Sequence, residues 1–260
     1  MTYRTLLLEK KDHVAWITMR RSQDGNVLDR EALEELASVA AVINDDEDVY
    51  VAILTAEGDV FCRGWDTSGL ESAPSALDWA RRERILDDPF SCFSRLSRPV
   101  IAAVNGDALS AGLELALACD VRLAAAEARF GLPETGLGLI PLGGGSQRLP
   151  RVVGRAKALE LILTGEIIGA EEALRAGLVS KVVPRDELMA AATALASRIA
   201  AQGPLAVRYA KEAVLRGMEM PLEQALRFET DLIIILQTTE DRAEGVRAFL
   251  EKRPPQFKGR

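Results

Sequence analysis

Residues 99–141 read PVIAAVNGDALSAGLELALACDVRLAAAEARFGLPETGLGLIP, and two carboxylates, Glu114 and Glu134, stand in that run beside small or apolar residues. A carboxylate taken out of water is costly unless it is hydrogen-bonded, paired or protonated. A chain that keeps two in such a setting must fold so that each finds a partner or a use. Pattern divides the stretch into a buried strand at 100–104, a tight turn at Asn105-Gly106 and a small-residue segment at 108–112. A helix at 113–119, a second strand at 121–125 and the Gly131-Leu132-Pro133 approach to Glu134 follow. The two carboxylates are expected to face one another across one pocket.

The remaining chain supplies the frame for that pocket. Strands are expected at 6–9 and 14–19, joined by a turn at 10–12, and Asp29 is placed to cap a helix over 30–44. Leu33, Leu36, Val39, Ala40 and Ile43 give this helix one apolar face. The near-continuous apolar run 49–55 predicts a strand covered on both sides. A glycine-bearing loop with a strand fragment at 60–61 comes next. The segment 71–88 is polar and irregular, with a helical pattern from about 76 into 94, and reads as a mobile loop or lid over a site. Gly143, Gly144 and Gly145 read as chain reversal and helix packing, ahead of helices at 156–163 and 167–177 and a strand at 178–183. Amphipathic patterns at 187–201, 204–217, 221–237 and 240–252 then run to the end. The expected organisation is a layered α/β core over 1–184 carrying the active site, and a helical region over 185–260.

Composition excludes several functions. A net charge of −7 argues against a general nucleic-acid or membrane-surface role, and the apolar runs are too short to span a bilayer. Cys62, Cys92 and Cys119 are widely spaced and His13, placed in the first strand, is the single histidine, so no metal site is expected. The same scarcity leaves Ser110 without a base for a serine-histidine triad. The first residues lack a basic segment followed by an apolar one, and a cytoplasmic enzyme is the expectation.

Chemistry is concentrated in two places. In Asp59-Val-Phe-Cys-Arg-Gly-Trp-Asp66, Gly64 permits a sharp turn that aims the Trp65 N–H into a cleft. In Ser110-Ala111-Gly112, the first N–H groups of a helix have no internal acceptor and the helix dipole favours negative charge there. Two such donors, from Trp65 and Ala111, form an oxyanion hole, in which one donor is worth roughly 3–4 kcal/mol of transition-state stabilisation. Glu114 and Glu134 can then divide acid and base work around one substrate. Taken singly, Glu114 could instead complement the helix dipole and Glu134 could be an ordinary loop carboxylate.

FCRGWD, AAVNGDALSAGLELALACD and FGLPETGLGLIPLGGGSQRL, in that order, resemble the enoyl-CoA hydratase/isomerase (crotonase) superfamily over nearly the whole chain. The resemblance implies a spiral of repeated β-β-α turns, a C-terminal helical trimerisation region, and trimers or hexamers built as dimers of trimers. It implies an acyl-CoA substrate with no separate cofactor and no metal. Trp65 and Ala111 would be the oxyanion donors, and Glu114 and Glu134 the catalytic pair of a hydratase. Coenzyme A would lie against Asp24, Asn26, Val27, Arg63, Gly64, Asp66 and Thr67, with Phe249 and Lys252 reaching it from a neighbouring copy. Arg63 and Trp65 depart from the small residues usual in the family, and Ala111 fits the hole only with negative φ. Residues of 71–93 are expected to set the acyl group. The implied reaction adds water across the 2,3-double bond of an enoyl-CoA. A double-bond isomerase or another CoA lyase is the alternative on the same scaffold. A weakly catalytic CoA- or RNA-binding member is the alternative of another class.

Overall fold

The computed structural model describes residues 3–68, 75, 77–78, 81 and 88–260. Its strands are β1 Leu6–Lys11, β2 Val14–Met19, β3 Val51–Ala56, β4 Val60–Cys62, β5 Val100–Val104, β6 Asp107–Leu109, β7 Val121–Ala125, β8 Arg129–Gly131, β9 Ile168–Gly169 and β10 Lys181–Val183. The helices are α1 Arg30–Asp45, α2 Ser91–Ser94, α3 Ala111–Leu117, α4 Gly145–Val153, α5 Arg155–Thr164, α6 Ala170–Arg175, α7 Arg185–Ala200, α8 Pro204–Gly217, α9 Leu222–Leu236 and α10 Glu240–Glu251.

Two sheets form, in the orders β1-β2-β3-β5-β7-β10 and β4-β6-β8-β9. Successive strands go to different sheets: β3 then β4, β5 then β6, β7 then β8. Within each sheet these strands lie parallel. That alternation is the expected β-β-α spiral. The long strands are buried on both faces, and period 2 sends their side chains to two clusters. Ala52, Leu54, Val100, Ala102 and Val104 join the side that holds the α1 stripe and the short strands. Val51, Ile53, Ile101 and Ala103 join the other side, with Leu188, Ala192 and Ala196 of α7. The helix that opens the expected 185–260 region is thus one of the layers of the sheet core.

The cap at Asp29 forms, its side chain accepting from the Ala32 N–H at 2.8 Å. Three expectations are corrected. His13 is not in a strand: Asp12 and His13 both have positive φ and make the turn between β1 and β2, as a two-residue type I′ hairpin requires. Its ring stacks on Tyr50 with centroids 4.2 Å apart. Residues 167–177 are not one helix, because Ile168 pairs with Phe130 before α6 begins. The strands β6 and β8 are absent from the sequence reading; three residues are too few to display a period of 2. The expected lid at 71–88 and helix at 76–94 fall largely outside the described residues, apart from the α2 turn.

The passage from β5 to β6 packs tightly against the passage from β3 to β4. The Asn105 amide donates to the Gly58 carbonyl at 2.8 Å, and a Cβ on Gly106 would sit 1.9 Å from the Asp59 oxygen. Gly106→Ala is therefore expected to destabilise the chain by about 1–3 kcal/mol or more through overpacking, seen as a lower urea midpoint at unchanged slope.

Candidate active site

The site is built where the end of β4 meets the start of α3. A Cβ on Gly112 would lie 2.2 Å from the Cys62 carbonyl oxygen, and one on Gly64 would lie 2.8 Å from the Ser110 Cβ. The two segments come this close only because glycine stands at both places. Gly64 has φ +126° and turns the chain. A parallel bridge to Leu28 then uses the Gly64 carbonyl and the Asp66 N–H, at 2.9 and 2.8 Å, and leaves the Trp65 N–H outside the pairing. Ala111 opens α3, so its φ is negative and its N–H is one of the helix's orphan donors. The positive φ falls one residue earlier, on Ser110, at +51°. Both expected oxyanion donors are thus carried by touching segments, and neither N–H has an acceptor among the described residues.

Glu114, on the first turn of α3, is 0% exposed. Its Oε1 accepts from the Gly143 N–H at 2.7 Å and the Gly145 N–H at 2.8 Å, while Oε2 is buried with no partner. Glu134 lies in the short 3₁₀ turn Pro133–Leu137 that leaves β8, 4% exposed and with neither oxygen in a hydrogen bond. Burial pushes the Glu114 pKa up to about 7; the Gly145 and Gly143 amides oppose this, the Glu134 charge adds to it, and Arg148 lowers it. Glu134 is also raised by burial, with the Ser110 hydroxyl close enough to oppose the rise. The structure brings the two carboxylates close enough for the Glu134 charge to raise Glu114, and burial raises both, so each holds its proton more tightly than a free carboxyl does.

The donors to Glu114 were missed from sequence. Gly143, Gly144 and Gly145 do reverse the chain, but two of their amides also cradle a carboxylate. The available signal was a glycine run directly before a helix, where N–H groups are free. Phe90 was missed as well: it stacks on Trp65 at 5.6 Å, and its Cε2 would lie 2.6 Å from a Cβ on Gly143. Trp65 is buried, with its indole N–H unpartnered. Cys62 is packed in the core, its thiol pushed up to about 12 by burial.

The segments expected to hold coenzyme A lie together. The Arg63 N–H donates to the Gly25 carbonyl at 3.0 Å, and the Arg63 side chain passes over Gly25. Asp24 ends a 3₁₀ turn, Val27 is half-buried, and Thr67 and Arg63 are exposed. Asp66 accepts from the Ser68 N–H. Asn26 is buried, and its side chain is occupied by the Arg21 N–H and the Glu57 and Val60 carbonyls. Any ligand contact there must come from backbone. Phe249, 82% exposed, and Lys252, the left-handed cap of α10, lie apart in the C-terminal helices. Among the described residues no cluster of three His, Cys, Asp or Glu side chains could hold a metal ion. No described helix is long and apolar enough to cross a membrane.

Comparison with known proteins gives the family of the fold. The profile of the family described as enoyl-CoA hydratase/isomerase matches residues 9–260. The chain is 43% identical over 260 residues to a probable enoyl-CoA hydratase, echA8, of Mycobacterium bovis, covering 99% of both chains. It is 40% identical over 258 residues to the crotonyl-CoA hydratase of Syntrophomonas wolfei, again covering 99% of both. The crystal structure of an enoyl-CoA hydratase from Bacillus anthracis superposes with a TM-score of 0.94 at 40% identity, over 99% of this chain and 100% of that one. A fold of two sheets wound as a spiral, with a buried carboxylate pair beside two free amides, is that of a crotonase-type enzyme. The chain belongs to the enoyl-CoA hydratase/isomerase family.

A buried acid whose pKa is raised by folding binds its proton more tightly in the native state. Its effect on stability is most favourable below about 4.5, and stability is lost as pH rises from there through about 7. Urea titrations at pH 4.5 and 7.5 are expected to show this loss, and Glu114→Gln should remove roughly 3 kcal/mol of it.

Proposed function

We propose that the chain is a hydro-lyase that adds water across the 2,3-double bond of an enoyl-CoA to give a 3-hydroxyacyl-CoA. The observation that carries this reading is the carboxylate pair: Glu114 held by two amides with Oε2 open, and Glu134 with both oxygens free. An isomerase that moves a proton within its substrate needs one such group; adding water uses two. The hydratase names of relatives at 40% and 43% identity support the same reading.

In this mechanism the thioester oxygen sits against the Trp65 and Ala111 N–H groups, and negative charge gathers there as the double bond is attacked. Water lies between the open Glu114 oxygen and Glu134. One carboxylate takes a proton from water as its oxygen bonds C3, and the π pair moves towards the thioester oxygen. Glu134 delivers the proton that C2 gains as the pair returns, so the product has gained one water and the protein's proton count is unchanged. The reaction uses no cofactor; coenzyme A is part of the substrate. Its chain would follow the backbone of Asp24, Asn26 and Val27 and the Arg63, Gly64, Asp66 and Thr67 turn, with Phe249 and Lys252 supplied by a neighbouring copy. Self-association as a trimer or hexamer would cover the apolar side chains that α8 and α9 leave exposed, among them Val214, Met218, Leu222 and Ile234. The expected placement is the cytoplasm.

Crotonyl-CoA tests the reading, through loss of the conjugated-enoyl absorbance. Glu114→Gln and Glu134→Gln should each lower kcat by about 10²–10⁴-fold with a much smaller change in KM. Full activity in both variants would overturn the mechanism. Inert wild type on every 2-enoyl-CoA, with turnover of a 3-enoyl-CoA, would identify the isomerase instead.

A further inference from the structure

One guanidinium ties the cradle of Glu114 to the aromatic wall of the site. Arg148, on α4, donates from Nη1 to the Gly143 carbonyl at 2.8 Å, and Nη2 lies 2.9 and 2.7 Å from the two Asp88 oxygens. It lies close over the glycine loop: a Cβ on Gly144 would sit 2.2 Å from Nη1, and Gly144 itself has φ +96°. On the other side Asp88, a non-glycine residue at φ +51°, leads through Pro89 into Phe90. Phe90 stacks on Trp65, whose N–H is one of the oxyanion donors, and abuts Gly143. A left-handed Asp is uncommon and needs holding, whereas glycine takes positive φ freely. The side chain that holds Asp88 is the one that holds the Gly143 carbonyl, and it is 19% exposed.

We propose that Arg148 is a positioning residue for the hydration step, latching the Gly143–Gly145 amides onto Glu114 and, through Asp88, the Phe90-Trp65 wall onto the same loop. This rests on the hydratase reading of the site. Arg148 touches neither the reacting carbons nor the carboxylate. It acts by keeping two amides aimed at Oε1, so that Oε2 stays where water must be held. Small misplacement of such a group can cost on the order of 10²-fold in rate. The ionisable groups that bear on Glu114 are Glu134 from the 3₁₀ turn after β8 and Arg148 from α4 itself. Asp88 reaches it only through Arg148, and Cys92 of α2 faces the Asp88-Arg148 pair.

Three variants separate the parts. Arg148→Met removes fork and charge. Arg148→Lys keeps the charge but cannot span the Gly143 carbonyl and Asp88 together. Asp88→Asn weakens only the wall side. Each is measured for kcat and KM with crotonyl-CoA. Each is also measured for the titration of the Glu114 carboxyl band, found by infrared difference against Glu114→Gln and read without substrate.

The expected result is a kcat lowered by about 10–100-fold in Arg148→Met with KM changed less than threefold, and a Glu114 titration moved to higher pH. Arg148→Lys should lose rate with a smaller movement of the titration, and Asp88→Asn should lose less rate than either. A folded Arg148→Met with wild-type kcat and an unmoved Glu114 titration would overturn the proposal. So would a rise in KM alone. If Arg148→Met does not fold, wild-type kcat and titration in both Arg148→Lys and Asp88→Asn would do the same. If the wild type fails to hydrate any enoyl-CoA, the hydratase reading falls, while the substrate-free titration still reports whether Arg148 sets the state of Glu114.

Discussion

The site depends on one contact: the end of β4 pressed against the first turn of α3, with Gly64 on one side and Gly112 on the other. Any side chain at Gly112 would overlap the Cys62 carbonyl. With both glycines in place, two amides from segments about fifty residues apart in sequence can point at one oxygen atom. The spiral makes this contact possible. Each turn gives one strand to the large sheet and the next to the small sheet, so the loops after the short strands collect at one end of the fold.

The carboxylate pair follows from the same geometry. Glu114 lies in the first turn of a short helix whose other residues are all buried, so its head cannot reach bulk water. The protein resolves the cost in three ways at once. Two glycine N–H groups donate to Oε1, Arg148 lies behind them, and burial, with the Glu134 charge adding to it, raises the Glu114 pKa to about 7. A carboxylate that is strongly solvated would be too weak a base for water, and one with no support would stay protonated. The arrangement of Glu114 lies between these limits.

Much of this was legible beforehand. The α1 stripe, its Asp29 cap, the long buried strands and both glutamates could be read directly because each is a local pattern: period 3.6, period 2, a cap residue, a charge in an apolar run. The Trp65 and Ala111 donors were legible because glycine or small residues beside them imply close backbone approach. The short strands β6 and β8, the turn at His13, the amide cradle and the Arg148 brace were not. The turn is local and differs from its expected place by one residue, since Lys11 pairs with Val14; for the others the partner lies far away in sequence: Phe130 for Ala108 and Ile168, Gly143 for Glu114, Asp88 for Arg148.

By itself the sequence determined the class of fold, the presence of a carboxylate pair in an apolar setting and the two places where free amides occur. These rest on short-range rules of periodicity, turn chemistry and helix termini, which neighbouring residues settle among themselves. The tertiary structure alone decided that Oε1 of Glu114 is occupied and Oε2 is open, that the Asn26 side chain is fully engaged by the core, and that α7 belongs to the sheet packing. Hydrogen-bond direction and burial depend on atoms brought together by the whole spiral, and no local pattern carries them.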